Sequence, residues 1–133
     1  MKECELTIAS SADGQENNFM RKGEMELSIH GAKVRYEDEG ALVCMDFQGE
    51  TVDILRRGDY TLKISLQRGV VREGNLGIGG NEGAIHTLAH KVAYSISGNS
   101  LLATLHYDLL IGDEPQKMKL RILARLSDKG ENK

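Results

Sequence analysis

A chain of 133 residues, 40% hydrophobic and 28% charged, can bury one core without staples and lies far from the composition of a disordered segment. Its formal net charge of −3 argues against a general nucleic-acid binder, whose affinity comes from neutralising phosphates with a basic surface. The opening MKECELTIASSADG lacks an apolar stretch of signal-peptide length, and no window approaches the roughly 18 apolar residues that span a bilayer, so a cytoplasmic protein without a membrane partner is expected.

Cys4 and Cys44 are the only cysteines and have no CxxC spacing, which points to two free thiols rather than a disulfide framework or zinc knuckle. Cys44 reads as a half-buried small hydrophobe, the commoner role, before a nucleophile.

Fifteen glycines and a single proline, Pro115, punctuate the chain at the short intervals of hairpin turns. Strands are expected near 3–10, 18–30, 33–38, 41–48, 51–57, 60–67, 85–97, 101–111 and 116–126. They form one domain over 1–133, with the first few residues and 127–133 frayed. A Gln48-Gly49 turn puts Met45 across from Val52 and Val43 across from Ile54. A turn through Arg57-Gly58-Asp59 brings Arg56 opposite Tyr60 and Ile54 opposite Leu62.

The stretch GNLGIGGNEG (74–83) matches neither GxxxxGK[ST] nor GxGxxG, because Glu82 stands where the last glycine would be and no lysine follows. It reads as a mobile loop at the mouth of a barrel.

AIHTLAHKVAYSI (84–96) fits a helix by its i, i+3, i+4 rhythm and a strand by its alternation. A Gly98-Asn99 hairpin decides between them: Ile96 then faces Leu101, Tyr94 faces Ala103, Val92 faces Leu105, His90 faces Tyr107, Leu88 faces Leu109 and His86 faces Ile111. One face is almost wholly apolar or aromatic, and a one-residue slip would scramble both faces. With Gly112 to Pro115 as a four-residue loop, Leu109 faces Met118, Tyr107 faces Leu120 and Leu105 faces Ile122. Every hairpin has a dry side, and eight or nine such strands shield it best by closing into an all-β, antiparallel, up-and-down barrel.

The segments DILRRGDYTLKISLQRG (53–69) and LHYDLLIGDE (105–114) resemble the signature of the YwiB-like family, uncharacterised bacterial β-barrel proteins with a calycin-like fold. The positions that carry it are Tyr36, Ile54, Arg56, Gly58, Gly69, Tyr107, Asp108 and Leu109. The resemblance implies a barrel and, by analogy with lipocalins, a ligand inside it; it implies no activity.

HTLAH resembles the zinc-hydrolase HExxH, but Thr87 replaces the general base, and four residues of strand span about 13 Å, too far for His86 and His90 to share a metal. No metal, cofactor or catalytic residue is therefore expected. Arg56 is predicted to face inward, where a cation needs a partner. It is a candidate anchor for a small amphipathic or anionic ligand, with Tyr36, Tyr60, Tyr94, Tyr107, His86 and His90 as wall residues; pairing with a carboxylate at the rim is the plainer reading. Lys117, Lys119, Arg121 and Arg125 share the outward face of the last strand, with Asp108 expected across from Lys119. They form a solvated face or a surface for an anionic protein partner. A homodimer through an edge strand is left open. Glu37, Asp38 and Glu39 read as an exposed turn without the environment acid-base catalysis needs.

Overall fold

Residues 1–127 are described here from a computed structural model of the chain. Alternation sets the sheet: Leu6 and Ile8 are sealed from solvent while Thr7 and Ala9, which alternate with them, are exposed. The same rhythm builds ten strands, β1 (Lys2–Ala12), β2 (Gln15–Leu27), β3 (Gly31–Asp38), β4 (Ala41–Gln48), β5 (Thr51–Arg57), β6 (Tyr60–Gln67), β7 (Val71–Ile78), β8 (Asn81–Ser97), β9 (Ser100–Ile111) and β10 (Glu114–Leu126). Each pairs antiparallel with the next, and β1 pairs with β10 from Cys4↔Leu126 to Ala12↔Met118, closing the barrel. Lys2 and Glu3, expected to fray, are held opposite Met25 and Glu24. Of the 127–133 segment, residues 128–133 lie outside the described residues. Each strand has two hydrogen-bonded neighbours. Among the described residues no helix is long and apolar enough to cross a membrane.

The additional strand is β7, which overlaps the glycine-rich stretch 74–83 expected to be a mobile loop. It pairs with β6 from Tyr60↔Ile78 to Lys63↔Asn75 and with β8 from Val71↔Leu88 to Ile78↔Asn81. Gly74 is there for packing rather than mobility: a Cβ on it would lie 2.4 Å from the Lys63 carbonyl oxygen. Gly79 and Gly80, at φ 59° and 86°, then turn a tight hairpin.

Three hairpins pair two residues away from the expected register. Val43 faces Arg56, Arg56 faces Leu62 and Tyr107 faces Met118, because the turns fall at Gly49-Glu50, Gly58-Asp59 and Gly112-Asp113. A shift of two keeps each side chain on its face, so the core survives the error. The β8–β9 hairpin differs more. Ile96↔Leu101, Tyr94↔Ala103 and Val92↔Leu105 hold, but a bulge between Ala89 and Lys91 then puts Ala89 opposite Tyr107 and Thr87 opposite Leu109. Thr87 takes the buried position and donates to the Ser65 carbonyl at 2.7 Å. An imidazole lacking such an acceptor would leave a buried donor unsatisfied.

The barrel interior is a packed core. Leu6, Phe47, Val52, Leu66, Leu101, Leu105, Ile122 and Ala124 are 0% exposed. Tyr36, Val43, Ile54, Tyr107 and Leu109, also on the inner wall, keep 6% or 7% of their area exposed.

Candidate functional site

Arg56 does point inward, between Val43 and Leu62, but its charge is already occupied. Its Nη1 donates to Asp59 Oδ1 at 3.0 Å and to the Tyr60 carbonyl at 3.3 Å, and its guanidinium lies 4.0 Å over the Tyr60 ring. Gly58 makes room for this clasp, since a Cβ there would meet the Ala41 Cβ at 2.7 Å and Arg56 Nη1 at 3.4 Å. The hydrogen bond from Arg56 holds the Asp59 carboxyl below its ordinary pKa. The geometry thus shows Arg56 Nη1 paired with the Asp59 carboxylate.

Of the other interior candidates, Tyr36 shares the rung of Arg56 through Val43, and Tyr107 lies close enough to Tyr36 to act on its phenol. Tyr36 and Tyr107 are buried wall residues, and burial pushes both phenols up to about 12. Tyr94 lies toward the opposite end, donating to the Gly49 carbonyl at 2.9 Å and packing its ring 5.3 Å from that of Phe47. His86 and His90 are exposed, contrary to the inward placement expected of them, because the bulge changes their face. His90 Nε2 lies 2.9 Å from Asp108 Oδ2. Arg21, which the sequence reading passed over, pairs with Asp38 at 2.7 Å and lies 4.5 Å over the Phe19 ring. Its inward position follows from the alternation Phe19, Arg21, Gly23 and Met25, but its partner depends on the β2–β3 register.

The outer wall presents a different arrangement. Lys91 on β8 pairs with His106 on β9, His106 with Lys119 on β10, and Lys119 with Ser11 on β1, giving a rung of three basic side chains. Arg121 adds a fourth on the next rung, between Thr104 and Ala9. Ala9, Ser11 and Thr104 are small, so the longer side chains border a groove of about 490 Å³. Among the described residues, Lys91, Lys119 and Arg121 form no ion pair, and Glu16 is the groove's only carboxylate. Asp108 lies across from Lys117 rather than Lys119 and is engaged by His90. Arg125 faces Glu5 outside the groove. One rung beyond Arg121, Leu102 and Leu123 are paired and remain 39% and 37% exposed. Burial, then Lys119, Lys91 and His90, push the His106 pKa down, which favours its neutral form. The β10 cations were legible as an alternating pattern; Lys91 and His106 join them only through the register of the adjoining strands.

Such a face can hold an anion by charge, with a neutral imidazole available to donate or to gain a proton. A closed up-and-down barrel with a packed interior and an unpaired basic groove outside defines the class of molecule. The chain belongs to the family described as Domain of unknown function (DUF1934), whose model matches residues 4–122. In fold it is similar to the crystal structure of the ywiB protein from Bacillus subtilis, with a TM-score of 0.79 at 13% identity over 95% of this chain and 92% of that one. Identity that low supports likeness of fold alone. No curated protein matches the sequence.

Proposed function

We propose that this protein is an interaction module that holds an acidic segment of a partner protein against the outer face of β8, β9, β10 and β1. The observation that carries this reading is the groove of about 490 Å³ bordered by Lys91, His106, Lys119 and Arg121, whose lysines and arginine have no internal ion pair. Cations left unpaired beside one another repel, and an incoming carboxylate relieves that repulsion. Leu102 and Leu123 offer an apolar contact to a side chain flanking the acidic residues. A lipocalin-like ligand inside the barrel is supported less well, since inner-wall residues such as Leu6, Phe47 and Leu105 are fully buried.

Fluorescence anisotropy of labelled peptides that combine Glu, Asp and Leu tests the reading. Binding should weaken as salt rises and fall about tenfold or more in the double variant Lys119→Glu, Arg121→Glu, with unfolding unchanged. Equal binding by the variant and the parent protein would overturn it.

A further inference from the structure

A second groove, of about 430 Å³, lies on the outer wall of β5 to β8 and has a charge pattern of its own. Arg57, Thr61, Gly77 and Glu82 form one rung, since Arg57 pairs with Thr61, Thr61 with Gly77 and Gly77 with Glu82. Lys63 and Asn75 pair on the next. Gly77 and Thr61 leave the middle of the rung low, while Arg57 and Lys63 stand on one side and Glu82 on the other.

These opposite charges border the same groove without meeting: among the described residues, neither Arg57 nor Lys63 forms an ion pair. Glu82 is instead positioned by Asn75, whose Nδ2 donates to Oε1 at 3.0 Å and leaves Oε2 available. Asp59, the other carboxylate in the groove, is held by Arg56.

We infer that this groove binds a short peptide with free termini, its carboxylate toward Arg57 and Lys63 and its ammonium toward Glu82. Arg57 and Glu82 are three strand spacings apart, about 14 Å between backbones. An extended tripeptide is about 10 Å long. Glu82 leans in over Gly77, where its Cγ would lie 3.5 Å from an added Cβ, and the length of the Arg57 or Lys63 side chain spans the remainder. The site is separate from the basic face of β8 to β10 and does not depend on it.

Titration of the ¹⁵N-labelled protein with triglycine, followed by backbone amide shifts, tests the assignment. Saturable shifts should concentrate at Thr61, Gly77, Gly79 and Gly80. N-acetylation or C-terminal amidation of the probe, and Arg57→Gln or Glu82→Gln in the protein, should each weaken binding about fivefold or more. The variant spectra report whether the fold is intact, and Lys119→Glu with Arg121→Glu should leave triglycine binding unchanged. No saturable shift up to about 10 mM, a range that still detects millimolar affinity, or equal binding of the doubly blocked peptide, would overturn the inference.

Discussion

Arg56 shows how a residue that looks like an anchor can be consumed by its own hairpin. Its guanidinium joins Asp59, the Tyr60 carbonyl and the Tyr60 ring, and only 19% of its side chain is exposed. Arg56→Ala should cost about 1–3 kcal/mol of stability in urea unfolding, because hydrogen bonds and ring stacking are lost together. A loss below about 0.5 kcal/mol, the range of an ordinary surface substitution, would show that the clasp contributes little. His106 provides a residue-scale prediction of the opposite kind. Its folded pKa lies below 6.5, so its contribution to stability is full above that value and declines as pH falls below it. A bound carboxylate favours the imidazolium, so acidic-peptide affinity should rise as pH falls from about 7.5 to 5.5. In His106→Gln that rise should shrink, and an unchanged pH profile would remove His106 from the site.

Among the elements, β7 and the β8 bulge separate what was legible in the sequence from what was not. Alternation revealed nine strands and the dry face of each hairpin, since that information lies within each segment. It hid β7 because Gly74 and Gly77 look like loop punctuation until the position of β6 is known. The bulge at His90 was hidden as well, and with it the outward turn of both histidines. Nothing local marks that extra residue; what favours it is Thr87 reaching the Ser65 carbonyl from a strand 22 residues distant. Gly74→Ala should therefore lower stability by about 2 kcal/mol or more, as the new Cβ meets backbone rather than a movable side chain. Hydrogen exchange should quicken first along the β6–β7 pairing. A neutral Gly74→Ala would mean that these strands can separate without cost.

At the scale of the whole molecule, closure uses the strand edges internally, and the recognition surface proposed here is the outer wall. The β1–β10 seam also brings Ala9 and Ser11 beside Lys119 and Arg121, making closure a condition of the groove. The most direct test of recognition on the outer wall is a methyl NMR titration of Leu- and Ile-labelled protein with an acidic, leucine-bearing peptide. Outward Leu102 and Leu123 should shift and saturate while inward Leu6, Leu105 and Ile122 stay in place. Shifts centred on the inward methyls would contradict binding at the outer face and return the ligand to the barrel interior.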